Sequence, residues 1–389
     1  MHKIIQVRTV ILKEVGDIDM KFDYQISEPD VGELERKYMN DAFDSGWISS
    51  KGPFIKEFED KFAKFVGTRY AVSCSNGTTA LHLAVKALGI KKDDEVIIPN
   101  LTFASPANAV MYEQGKPVLV DIDIKYWCLD PTKIEEKITE KTRAIIVVHL
   151  YGHPADMEPI LKLSKKYNLK IIEDCAEAHG AKYKGKVVGS IGDIGCFSFY
   201  GNKIMTTGEG GMVTTNDSSI AERIKLLRDH GMSPLNRYWH DEVGYNYRMT
   251  NIQAAIGIAQ LESINDKIGK HIWIAKKYSE YITESVKIQL EMPWALNVYW
   301  LPTFLISDSN LSKERNLIMS SLLENNIESR PVFYPLNEMP PYKNNISYEN
   351  SKYVSYNGLS LPVSNKLDED DLRRISDMFN KIVAKLKYR

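Results

Sequence analysis

Short apolar runs alternate with amphipathic stretches through the first two thirds of the chain. "YAVSCSN" (70–76) reads as a strand, and "TTALHLAVKALG" (78–89) follows with helical spacing, closed by Gly89. The alternation then repeats. "DEVIIPN" precedes a helix through "SPANAVMYEQG". "KPVLVDID" and "KITEKTRAIIVVHLYG" precede the helix "MEPILKLSKKYN", and "LKIIEDCA" follows it. "GCFSFYG" and "GGMVTTN" read as a closing strand pair. This order predicts an α/β fold with a mostly parallel sheet covered by helices on both faces. Ligands on such sheets bind beyond the carboxyl ends of the strands.

From Asn251 the pattern changes. "NIQAAIGIAQLESINDKIGKHIWIAKKYSEYI" keeps helical spacing over a long stretch and predicts one helix joining two domains. Beyond it, "NVYWLPTFLI", a helix near "KERNLIMSSLLENN", "IESRPVFYP" and a terminal helix "EDDLRRISDMFNKIVAKLKY" suggest a smaller α+β domain. The expected division is an N-terminal extension (1–21), a large domain (22–265) and a small C-terminal domain (266–389). A chain of 389 residues is long enough for two closely packed domains.

Composition narrows the function classes. With 50 Lys+Arg against 51 Asp+Glu the net charge is -1, which gives no electrostatic reason to invoke nucleic acid or an anionic membrane. No apolar run is long enough to span a bilayer. The start, "MHKIIQVRTVILKEVGDIDM", is broken by Lys3, Arg8, Lys13 and Glu14, and reads as an extra strand or arm rather than a secretory signal. Cys74, Cys128, Cys175 and Cys196 are widely spaced, as in a cytoplasmic protein with reduced thiols, and predict neither disulfides nor a metal site. His149, His153, His179 and His240 lack the spacing of a helical zinc motif and read as structural.

The candidate chemistry lies in four loops. In "CFSFYGNKIMTTGEGGMV" one lysine, Lys203, follows an apolar run and precedes a glycine-rich turn, unlike a lysine on a solvated surface. "IIEDCAEAHG" ends a strand with Glu173 and Asp174. Such a pair is common at solvated strand ends, yet a carboxylate there also suits a cationic heterocycle, whose ring nitrogen it keeps protonated. Asn76-Gly77-Thr78-Thr79 sits between strand and helix. These residue types are ordinary caps, and a helix N-terminus with a glycine also favours phosphate, with Ser198 as a further donor. Phe103 in "IIPNLTFASPANAV" fits a core position, or a ring stacked on a planar cofactor. Taken together, a phosphate cradle, a ring-nitrogen partner, a stacking ring and a partly desolvated lysine are what pyridoxal 5'-phosphate requires.

At this point the sequence resembles the DegT/DnrJ/EryC1/StrS family of sugar aminotransferases. The resemblance runs from about Phe22 to the C-terminus, through ordered blocks such as "SNGTTALHLA", "VHLYGHPADM", "IEDCAEAHGA", "FSFYGNKIMTTGEGGM", "GYNYRMTNIQAAIGIAQLE" and "ESRPVFYP". It implies the aspartate-aminotransferase-like fold (fold type I), with a mostly parallel mixed sheet, and pyridoxal phosphate as cofactor. It makes Lys203 the lysine that joins the cofactor and shuttles protons, and Asp174 the partner of the ring nitrogen. It places Glu177 near the ring hydroxyl, Gly77, Thr78 and Ser198 at the phosphate, and Phe103 on the ring. Asn246 matches an asparagine that reaches the phosphate of a neighbouring subunit, which implies a homodimer with shared active sites.

The blocks "RYWHDEVGYNYRMTN" and "ESRPVFYP" further imply a 4-aminotransferase acting on a nucleotide-linked ketosugar, GDP-4-keto-6-deoxymannose by preference, with glutamate as donor. The product would be one that enters lipopolysaccharide O-antigen. Arg330, Tyr334 and Asn337 are the expected substrate-binding residues. Arg330 equally suits an inter-domain ion pair. Asn337 stands where the pattern leads to a histidine. A dTDP- or UDP-linked ketosugar is the alternative substrate, and a non-catalytic cofactor-binding regulator is a further reading. Sugar 3-dehydratases of this kind carry histidine at the lysine position, and Lys203 argues against that reaction.

Overall fold

The computed structural model describes residues 22–308, 311 and 314–387, so the expected extension at 1–21 lies outside the described residues. The large sheet is built from β1 (Tyr70–Cys74), β2 (Glu95–Pro99), β3 (Lys116–Val120), β4 (Thr142–Val148) and β5 (Lys170–Asp174). Two short strands follow, β6 (Lys182–Tyr183) and β7 (Lys186–Val187), then β8 (Ile194–Ser198) and β9 (Gly211–Thr215). The seven-stranded order is β1-β9-β8-β5-β4-β2-β3. All pairs from β8 to β3 are parallel, while β9 runs antiparallel to both β8 and β1. The "GCFSFYG"/"GGMVTTN" strands therefore pair as the sequence predicts, but inside the sheet rather than closing it, since β1 forms the edge beyond β9, and the large sheet is mostly parallel and mixed.

The strands read as near-continuous apolar runs because both faces are buried. Ile97, Ile145, Val147, Ile171, Phe197 and Met212 join one apolar cluster with Phe58 and Phe62 of helix Pro53–Val66. Their neighbours Val96, Ile98, Ala144, Ile146, Ile172, Cys196 and Val213 join a second cluster. That one includes Leu81 of helix Gly77–Ala87, Val110 of helix Ser105–Tyr112 and Ile224 of helix Ser218–Arg228.

The small sheet follows later in the chain. It contains β10 (Val286–Ile288), β12 (Thr303–Ile306), β13 (Arg330–Pro331) and β14 (Gly358–Ser360), in the order β10-β12-β14-β13 and antiparallel throughout. A strand between them, β11 (Ala295–Leu296), pairs with β6 instead. Helices Arg315–Glu324 and Glu369–Lys387 supply Ile318, Leu322, Phe379 and Ile382 to the same cluster as Phe62, so one apolar core runs from the large sheet into the small.

The structure departs from the expected arrangement in one further place. The single long helix is two, Asn251–Glu262 and Ile264–Tyr281, broken at Ser263 (φ -103, ψ 7). The Ser263 hydroxyl donates to the Gln260 carbonyl (3.3 Å), the local bond by which serine competes with a continuing helix. Residues 23–28 bridge to the small-sheet region through Tyr24↔Ile327 and Ser27↔Val363. Among the described residues no helix is long and apolar enough to cross a membrane.

Candidate active site

Every strand that runs parallel in the large sheet ends at the same edge, and that edge opens into a cavity of about 630 Å³. Residues 76–79 follow β1, Thr102 and Phe103 follow β2, Val148 and Asp174 end β4 and β5, and Ser198 ends β8. Lys203 enters from the turn between β8 and β9. Across from them stand Trp300, Arg330 and Phe333 of the C-terminal part.

At the β1 end the Asn76 side chain caps helix Gly77–Ala87 by accepting the Thr79 amide (2.9 Å). The amides of Gly77 and Thr78 have no hydrogen-bond partner among the described residues, as expected for the first turn of a helix. A Cβ on Gly77 would stand 2.7 Å from Ser198 Cβ, so only glycine lets this turn approach the end of β8. Thr78 Oγ1 and Ser105 Oγ lie 2.8 Å apart. Free amides, with the Thr78 and Ser198 hydroxyls beside them, make an anion cradle at a helix N-terminus.

The two acidic residues of β5 separate by strand alternation. Glu173 points away from the cavity. It accepts the amides of Gly189, Ile191 and Gly192 and pairs with His149 Nε2 (3.1 Å), so it anchors a loop. His149 Nδ1 accepts the Ala155 amide (3.0 Å), which fixes its tautomer as the Nε2–H form. Asp174 lines the cavity, is buried, and accepts the Ala176 amide (3.0 Å); no other hydrogen bond to its side chain occurs among the described residues. Burial raises its pKa, with Lys203 pulling the other way. A buried carboxylate so short of partners fits a cationic ring nitrogen. Glu177 is buried, accepts the Tyr151 amide (2.8 Å), and is pushed up to about 7, chiefly by burial.

Lys203 completes this group. Burial lowers its pKa, while Glu177 and Asp174 raise it. Its Nζ lies 3.7 Å from the centre of the Trp300 ring. Phe103 is 58% exposed at the cavity mouth and tilts against Phe333 (5.8 Å), leaving a ring face for a planar group.

The structure therefore brings Gly77, Thr78, Phe103, Asp174, Glu177, Ser198, Lys203 and Arg330 to one cavity. Three expected residues stand elsewhere. Asn246 is exposed outside the cavity wall, its Oδ1 held by Arg248 Nε (3.1 Å) and Nη2 (3.0 Å). Tyr334 packs edge-on against Tyr356 (6.2 Å). Asn337 spans the segment after β13 and the end of β2: its amide donates to Asn100 Oδ1 (3.0 Å), and its Oδ1 accepts from Asn100 Nδ2 (2.9 Å). Arg330 is itself paired with Glu328 (3.2 Å). Sequence reasoning missed Trp300, whose ring lies against the Lys203 amine and whose Nε1–H donates to the Asn202 carbonyl, and the tie from the Tyr151 amide to Glu177. The four cysteines are free and buried.

Fold and cavity together define an aminotransferase that uses pyridoxal phosphate. The chain belongs to the DegT/DnrJ/EryC1/StrS aminotransferase family, whose profile matches residues 29–380. It is 45% identical over 360 residues to the GDP-perosamine synthase of Escherichia coli O157:H7, covering 92% of this chain and 98% of that protein. It is 44% identical over 366 residues to the GDP-perosamine synthase of Caulobacter vibrioides, again covering 92% and 98%. Among solved structures it resembles Streptococcus pneumoniae Spr1654 in its PMP form, with a TM-score of 0.88 at 28% identity over 93% of this chain and 98% of that one.

Proposed function

We propose that the protein transfers an amino group from glutamate to the C4 ketone of GDP-4-keto-6-deoxymannose, giving GDP-perosamine, with Lys203 as the reacting amine. The observation that carries this reading is the meeting, in one cavity, of a lysine with a depressed pKa, the under-partnered Asp174 and the anion cradle at Gly77. The choice of a GDP-linked sugar is supported by the two relatives named above.

Pyridoxal phosphate, when bound, supplies an aldehyde that condenses with amines and a ring that withdraws electrons from the reacting carbon. The residues of the chain bind and steer it. Gly77, Thr78 and Ser198 would hold the phosphate, Phe103 would cover one ring face, Asp174 would keep the ring nitrogen protonated, and Glu177 would serve the ring hydroxyl. Lys203 would condense with the aldehyde as a neutral amine, releasing water, which its depressed pKa favours; once displaced by the substrate amine, its Nζ would take a proton from one reacting carbon and return it to another. Glutamate leaves as the keto acid before the ketosugar enters, so one cavity serves both half-reactions.

Arg330 offers a cationic fork for the sugar diphosphate or the glutamate carboxylate. Asn337 and Tyr334 act on substrate through the placement of the Phe333 segment. Asn246, held outward by Arg248, serves the cavity of a second subunit in a homodimer. We also propose a large cofactor-binding domain over residues 22–265 and a small C-terminal domain over 266–389.

Borohydride reduction followed by peptide mapping tests this reading. Wild type should lose its visible band and carry the reduced cofactor on Lys203. A label on any other lysine overturns the assignment.

A further inference from the structure

Trp300 lies in "NVYWLP", a stretch that sequence patterns mark only as a strand, yet its indole covers the Lys203 amine at 3.7 Å. Its Nε1–H donates to the carbonyl of Asn202 (2.7 Å), the residue just before Lys203. One side chain therefore holds both the backbone that carries the lysine and the amine at its tip. The indole is itself fixed. It is 4% exposed and nearly parallel to the Tyr151 ring (12°, 6.0 Å), and Tyr151 stacks in turn on Phe333 (14°, 5.4 Å). The Trp300 amide donates to the Tyr151 carbonyl (3.0 Å). A ring tied at both ends and packed along its face does not swing aside freely.

We propose that Trp300 is a positioning residue for the Lys203 amine, holding it against the cavity wall while it carries a proton. The inference rests on the reading of Lys203 as the reacting amine. An aromatic face attracts an ammonium and not a neutral amine, and does so more strongly where water is excluded. Burial works in the other direction on Lys203, and Glu177 and Asp174 work in the same direction as the indole. His179 stands in the same field, but burial pushes it down to about 3, so its ring adds no charge. Arg330, Glu209 and His82 also line the cavity. The consequence is a proton source at a fixed place. Once the proton leaves, the indole no longer holds the amine, which is then free to attack.

The test needs no substrate. Full-length protein prepared without cofactor is trace-acetylated with acetic anhydride across pH 6–11, and the Lys203 peptide is quantified by mass spectrometry to give its titration midpoint. Trp300→Leu should lower that midpoint by about 0.4–1.5 pH units, with Trp300→Phe between the two. Replacing the tryptophans with 5-fluoro- and then 5,6-difluorotryptophan should lower it stepwise without changing the fold, which a purely structural role would not do. Lys270, 4.2 Å over the Trp273 ring, should move the same way, while Lys162, paired with Glu158, should not. A Lys203 midpoint that is unchanged or raised by fluorination overturns the inference, whether or not Trp300→Leu folds. A cofactor label away from Lys203 would instead overturn the functional reading and leave this titration as measured.

Discussion

At the scale of single residues, Lys203, Asp174 and Glu177 form one electrostatic unit, and each is perturbed by burial against its neighbours. Asp174→Asn keeps the shape of the site and removes the charge that a ring nitrogen needs. It should weaken cofactor binding and lower kcat at least about 100-fold, measured by cofactor titration and steady-state kinetics. Glu177 gives a pH signature. Its pKa in the folded protein, about 7, lies above its ordinary value of 4.5, so the folded state binds the proton more tightly than the unfolded chain does. Stability is therefore lost as pH rises from 4.5 through 7. Glu177→Gln keeps the acceptor for the Tyr151 amide and removes the titration. In the cofactor-free protein it should be stabilised relative to wild type by about 1–2 kcal/mol at pH 8 and by much less at pH 5, read from urea denaturation at both pH values. A gain equal at both would contradict the assignment. That Lys203 and Asp174 face the cavity was legible because Asp174 ends an apolar strand and Lys203 follows one, at the sheet edge where ligands bind. Trp300 was not, because its contact with Lys203 joins positions almost a hundred residues apart and nothing in "NVYWLP" marks it. Asn337 was legible as an unusual residue but not as a tie to Asn100, since that partner belongs to the end of β2.

At the scale of elements, the strand–helix alternation of the large sheet was readable because strands buried on both faces are apolar throughout and each is followed by a turn or cap. The small sheet was harder. Its strands are short, and β13 has two residues, too few to show a period. The placement of residues 23–28 was not readable at all, because their partners Ile327 and Val363 follow about 300 residues later. What ties the small part to the large is also specific. Asp121, just past β3, accepts the Ser351 amide (2.8 Å) and hydroxyl (2.6 Å) and the Asn350 amide (3.1 Å), at the start of helix Glu349–Asn357. Ser351 is fully buried, so removing the carboxylate strands donors that water cannot reach. Asp121→Ala should cost about 2–4 kcal/mol in denaturant unfolding, whereas Asp217→Ala, which loses an exposed helix cap, should cost about 1 kcal/mol. Equal costs would mean that Asp121 does not join the two parts.

At the scale of the whole molecule, a single apolar core runs between the two sheets, and the cavity is walled by both parts. In the proposed homodimer the second subunit supplies Asn246, which does not line the cavity of its own chain. Inactive Lys203→Ala and Asn246→Ala subunits, mixed and allowed to exchange, should recover about a quarter of wild-type activity, because half of the dimers are hybrids with one intact site. No recovery after demonstrated exchange would place Asn246 in its own subunit's site or outside the site altogether. The central claim, amino transfer to a GDP-linked 4-ketosugar, is tested most directly by one competition. The enzyme is incubated with ¹⁵N-glutamate and equal concentrations of GDP-4-keto-6-deoxymannose and the dTDP- and UDP-linked 4-keto-6-deoxyglucoses, and the products are resolved by mass spectrometry. The account predicts that the ¹⁵N label enters the GDP sugar first and at C4. Faster labelling of a dTDP- or UDP-linked sugar, or label at another carbon, would contradict it.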